Sequence, residues 1–159
     1  MSSDSPLHQV RYRHTQRGDL LLLIIGGAIA AILIIGGAAF AGPDPIVFAI
    51  VIPVLVALAV VLLLFSSLTV VVDDEFLRIA FGPGFVHHAW PLEGIRSWRA
   101  VRNPWWYGWG IHLTPRGWLY NVSGLEAVEV VFSDGRRRRI GTDDTAGLMT
   151  ALEAVPRWT

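Results

Sequence analysis

Two apolar runs, residues 20–41 and 46–68, are separated only by Gly42-Pro43-Asp44-Pro45, and neither contains a charged residue. A bilayer-crossing helix needs about 20 apolar residues at a rise of 1.5 Å each. Both runs are long enough. Lipid cannot satisfy an open backbone hydrogen bond, so a lipid-embedded run must close its bonds internally. Continuous apolar character without alternation selects the helix. The expectation is a transmembrane hairpin with helices at 20–41 and 46–68 and an extracytoplasmic turn at 42–45. Residues 1–19 are then a polar cytoplasmic tail, and 69–159 suffice for one small domain.

Flanking charge sets the orientation. Arg11, Arg13 and Arg17 precede the first run, and Arg78, Arg96, Arg99 and Arg102 follow the second. The turn carries only Asp44. The positive-inside rule puts both termini of this multi-pass chain in the cytoplasm. Ala39-Phe40-Ala41 after an Arg-bearing start also has the form of a signal-peptide cleavage site. The run is longer than a usual signal core, so a spanning helix is the better reading.

The hairpin interior offers no ionisable group, and its polar residues are Ser66, Ser67 and Thr69 at the cytoplasmic end. Transport pathways place such groups within the spans. An anchor is therefore expected. Gly27, Ala31 and Ala38 share one helical face, where small side chains let helices approach closely. The simplest partner is the second helix of the same hairpin, with self-association to a homo-oligomer as the alternative.

After residue 68 the apolar residues alternate at period two. Strands are expected at 69–72, 76–81, 85–90, 95–101, 111–113, 118–122, 127–132 and 136–140. Gly82-Pro83-Gly84, Thr114-Pro115-Arg116-Gly117 and Ser133-Asp134-Gly135 supply turns. In 76–81, Leu77, Ile79 and Phe81 share a face. The period then lengthens, with Leu148, Met149, Leu152 and Val155 on one side of a helix. Thr142, Asp143 and Asp144 are candidates to cap its start, and Pro156 ends it. The fold expected is about seven antiparallel strands in an all-β barrel or sandwich at 69–155, capped by a C-terminal helix. A tail follows at 156–159.

Tyr107-Gly108-Trp109-Gly110-Ile111, Val122-Ser123-Gly124, Ala127-Val128-Glu129-Val130, Gly135 and Arg139-Ile140-Gly141-Thr142-Asp143-Asp144 together carry a likeness. The chain resembles the bacterial membrane-anchored pleckstrin-homology-like proteins. That resemblance implies one or two helices before a pleckstrin-homology-like (PH) barrel, and it implies no catalytic residues.

Seven Trp are many for this length. Trp105 and Trp106 fall in a loop, where amphipathic rings suit the membrane–water boundary. Trp109 and Trp118 are expected in the core. Arg136-Arg137-Arg138-Arg139 is the strongest charge run, and on a strand its members alternate sides. Arg137 and Arg139 should lie opposite Ile140. With Arg99 and Arg102 they are candidate contacts to an anionic leaflet, each worth about 1 kcal/mol near such a surface. A charged edge strand guarded against pairing explains the run equally well.

Net charge is zero, against the basic balance usual for nucleic-acid binding. Cysteine is absent, which removes disulfides and thiolate chemistry. His87 and His88 are neighbours on a strand and face opposite ways, and no His–carboxylate spacing repeats. No metal, no cofactor and no enzyme is expected. Asp73-Asp74 reads as a turn. The function expected is a membrane-anchored binding and scaffold module that recruits or regulates a protein partner at the inner face of the membrane. The alternatives are a sensor of anionic lipid or envelope stress, and an accessory subunit of a membrane complex.

Overall fold

The polar segment before the first apolar run is a strand. A computed structural model describes residues 9–39 and 45–155, and Tyr12–Arg17 forms β1. The helices α1 (Asp19–Ala39) and α2 (Pro45–Leu64) follow, then β2 (Ser67–Val72). β1 pairs antiparallel with β2, from Tyr12 opposite Val72 to Arg17 opposite Ser67. The helical hairpin thus stands where a β-hairpin has its turn. Residues 12–17 are part of the domain and not of a polar tail. The turn at 42–44, the tail at 156–159 and the side chain of Ala38 lie outside the described residues.

The remaining strands are β3 (Phe76–Phe81), β4 (Val86–Pro91), β5 (Ile95–Arg102), β6 (Gly110–Thr114), β7 (Gly117–Asn121), β8 (Glu126–Phe132) and β9 (Arg137–Gly141). They build one sheet in the order β1-β2-β3-β4 and a second in the order β5-β8-β9-β7-β6. Among the described residues there are nine strands and not about seven. Nor are all pairs antiparallel. The β8–β9 hairpin places β9 beside β7, and these two run parallel.

Alternation explains the packing. On β2, Leu68, Val70 and Val72 point inward, and Leu77, Ile79 and Phe81 do so on β3, all at most 1% exposed. Tyr120, Val128, Val130 and Ile140 face them from the second sheet. Each fully buried aliphatic or Phe side chain contributes about 1.5–3 kcal/mol relative to exposure. The last element, α3 (Thr145–Glu153), presents Leu148 and Leu152 to this core. It packs on β5, β8, β1 and β2. Since β1 and β5 are the edges of their sheets, α3 closes the seam between them. Asp144 caps it, accepting from the Gly147 amide at 2.9 Å. The opposite seam, between edge strands β4 and β6, has no such cover among the described residues.

α1 and α2 have 21 and 20 residues, long and apolar enough to cross a membrane. Their chemistry is turned outward: α2 has no buried residue. Two glycines fit the helix pair onto the β-domain. A β-carbon on Gly18 would lie 2.6 Å from the Phe65 carbonyl oxygen. One on Gly82, which has positive φ in the β3–β4 turn, would collide with the carbonyl oxygens of Leu63 and Leu64. The last turn of α2 therefore rests directly on that turn.

Candidate functional site

The β-domain has a hairpin end, where β1 stops and β2 starts, and a far end. Several contacts place one end of the second sheet beside the helices. Gln16 Nε2 donates to the Ser123 carbonyl at 3.1 Å, and a β-carbon on Gly110 would lie 3.8 Å from the Phe65 ring. Phe65 also packs edge-on against Phe81, with centroids 5.5 Å apart.

The loop from Asn103 to Trp109 is bracketed by these contacts. At its start the Asn103 amide donates to the Leu125 carbonyl at 2.7 Å, and it ends at Gly110. A short 3-10 turn at Trp105–Tyr107 stands between. Trp105 and Trp106 are 72% and 68% exposed and meet edge-on, with centroids 6.1 Å apart. Pro104 starts this turn, and Gly108 leaves it with φ of 68°. Trp109 is half-buried, and its carbonyl accepts from His112 Nε2 when that nitrogen carries the proton. Asn103 Nδ2 and Trp109 Nε1 have no acceptor among the described residues. An orphaned buried donor costs about 1–3 kcal/mol.

Beneath the loop lies a buried charge network on the outer face of the second sheet. Arg99, Glu129, Arg139 and Leu119 occupy one row across β5, β8, β9 and β7. Arg139 is 0% exposed and Glu129 1%. Arg139 donates through Nε and Nη2 to Glu129 Oε2, at 2.9 and 2.8 Å, and through Nη1 to Asn103 Oδ1 at 2.9 Å. Arg99 takes the other carboxylate oxygen at 2.9 and 2.6 Å. Burial alone would raise the Glu129 pKa. The hydrogen bonds from Arg139 and Arg99 outweigh it and hold the carboxyl below its ordinary value. Glu129 is thus ionised and shared by two guanidinium groups. Through Asn103, the network fixes the root of the Trp loop.

This geometry sorts the sequence-level candidates. Arg139 and Arg137 do lie on the side opposite Ile140, but Arg139 is sealed inside and offers no charge to a surface. Arg99 is committed to Glu129, although its side chain is 62% exposed. Arg137 is exposed but begins β9, and β9 reaches the hairpin end only at Gly141. At about 3.3 Å per residue, Arg137 is about 13 Å farther from the helices. Arg102 ends β5 at the start of the Trp loop and faces Glu126 at 3.6 Å. Arg138 points into the open seam, over the Trp90 ring at 4.9 Å, and donates to the Tyr120 hydroxyl at 3.0 Å.

Among the described residues, the small-residue face of α1 is open. A β-carbon added at Gly26, Gly27, Gly36 or Gly37 would meet nothing within 4 Å, and Ala31 is exposed. The face carrying Gly27 and Ala31 turns outward. Trp118 departs from its expected core position and is 43% exposed beside Leu113 at 69%. Both sit on the inward-facing side of their strands, beyond the cover of the first sheet. Asp73 is a turn residue: its Oδ1 accepts from the Glu75 and Phe76 amides and its Oδ2 pairs with Arg78.

A surface groove of about 340 Å³ runs over Ser97, Trp98, Arg99, Glu129, Val131 and Arg137. Its one carboxylate already carries two guanidinium groups, so it is not a free base. Among the described residues no three His, Asp or Glu side chains gather as a metal site. No family model, curated protein or solved structure matches the chain.

Proposed function

We propose that the chain is a membrane-anchored binding module. Its hairpin spans a bacterial inner membrane from the cytoplasmic side, and its β-domain recruits or regulates a protein partner at that surface. The carrying observation is the register of β1 with β2 across the hairpin. It ties the domain to both helices without a linker on either side. A tethered domain works at high effective concentration, so a modest docking surface is enough. The pleckstrin-homology-like resemblance agrees with such a role, and so do the charges flanking the hairpin.

The docking surface this reading favours is the far end. Leu113 and Trp118 are exposed there, with Arg116, Arg136 and Arg137 exposed around them. An apolar patch rimmed by Arg suits a protein segment that carries apolar and acidic residues. Photocrosslinking from position 118 of the full chain in native membranes tests it. A discrete protein adduct that disappears with Leu113→Asp supports the reading. Lipid adducts alone, or none, overturn it. The sensor reading has one observation in its favour, the exposed Trp105–Trp106 pair at the hairpin end.

A further inference from the structure

The hairpin end of the β-domain carries three exposed aromatic rings from two separate connections. Phe85 follows the Gly82 turn and is 76% exposed. That turn rests on the carbonyls of Leu63 and Leu64, the last turn of α2. Trp105 and Trp106 project from the loop that ends at Gly110, beside the Phe65 ring. Phe65 is the residue that follows α2. All three rings are therefore placed by the segment through which the chain leaves its apolar helices.

Charge at this end is low and internally balanced. Arg17 faces Asp19 at 3.7 Å, and Arg102 faces Glu126 at 3.6 Å. The Arg run contributes nothing here, because Arg139 is buried and Arg136 and Arg137 lie at the far end. An exposed aromatic group with neutral surroundings is costly in water and well suited to the headgroup boundary of a bilayer.

We infer that the hairpin end is a lipid-contact surface, seated in the headgroup region by Phe85, Trp105 and Trp106. The contact is aromatic and not electrostatic, so it does not select anionic lipid. This rests on the reading that the hairpin spans the membrane. The occupant is bilayer lipid and not a second protein, because the surface is continuous with the ends of two helices that lipid surrounds. It also gives the Asn103–Arg139 bond a purpose: the bond holds the root of the loop that carries two of the rings.

The test uses the full chain with a photoreactive residue at position 85, 106 or 113, reconstituted in phosphatidylcholine vesicles with and without phosphatidylglycerol. Lipid adducts from 85 and 106 should exceed those from 113 several-fold, equally in both vesicles and at low and high salt. Equal yields at the three positions overturn the inference, and so do adducts that need phosphatidylglycerol. Trp105→Ser with Trp106→Ser should remove more of the fluorescence quenched by brominated phosphatidylcholine than Trp118→Ser does. An equal or smaller loss also overturns it. Alkaline carbonate separates the two readings. A chain that carbonate extracts refutes the anchor and the seat together. An integral chain without lipid adducts at 85 and 106 refutes the seat alone, and a protein adduct at 118 then still supports the docking module.

Discussion

The helices and the strands of this chain are built from the same residues, Leu, Ile, Val and Ala, and they use them in opposite directions. In α2 every side chain escapes burial by the protein. In β2 and β3 every second one is sealed in the core. The difference lies in period and not in hydrophobicity. A strand that alternates has one face for the core and one for solvent. A helix apolar all round has no such division, and only a surrounding apolar medium suits it. Hydropathy alone therefore separates neither class. The spacing of the polar residues does.

The sharpest challenge to this contrast is the outer face of the second sheet, where charge is buried as deeply as any aliphatic residue. Glu129→Ala would leave Arg139 buried without its partner, at a cost of about 3–5 kcal/mol. Replacing both groups, as Arg139→Met with Glu129→Leu, should recover most of that loss. Urea unfolding in detergent micelles followed by Trp fluorescence measures both, and no recovery would mean that the pair does more than fill space. The lowered Glu129 pKa adds a pH signature. Its stabilisation is complete above the unfolded carboxylate value of about 4.3 and is lost as pH falls through the lower folded value.

A matched pair of truncations comes next. Ile79→Ala in β3 should cost about 2–5 kcal/mol, because Ile79 is 1% exposed and its removal leaves a cavity. Leu33→Ala in α1, where Leu33 is 56% exposed, should change domain stability by less than about 0.5 kcal/mol. Similar losses in the same urea assay would break the comparison.

The smallest effect belongs to His88. It stacks on Trp90 with centroids 5.7 Å apart, and burial, then Arg138 and His87, lower its pKa from 6.5. The unfolded chain takes up the proton first. Stability should therefore decline as pH falls below about 6.5 and level off below the folded pKa. His88→Phe should flatten that limb. An unchanged pH profile would show that His88 is not its source.

Much of the fold was legible. The hairpin follows from two uncharged runs, and the strands after it follow from alternation between turn residues. β1 escaped because Tyr-Arg-His-Thr-Gln-Arg has no apolar face. Its inward side is polar, and Tyr12 and His14 there meet polar partners. Tyr12 hydrogen-bonds Asp144 at 3.1 Å, and His14 meets Asp143 at 2.5 Å. Burial, and then Asp144, raises the Tyr12 pKa. The only sign of a strand was Tyr12, His14 and Gln16 at period two. From sequence alone Arg139 looks like a surface charge for a related reason. Alternation assigned its face correctly, but the burial of that face depends on a loop and on Glu129 one strand away. The Trp loop itself was legible, since Trp105 and Trp106 are exposed where composition suggested.

The pairing of β1 with β2 orders events during synthesis. β1 emerges from the ribosome first, yet its partner follows only after the whole hairpin. A strand that waits through two helices cannot pair early, and its edge is a hazard while it waits. Its polar sequence is a protection in that interval, because it offers no apolar surface on which to aggregate. The β-domain completes itself only when both helices have been made, so a chain that has not finished its hairpin cannot yet hold its sandwich.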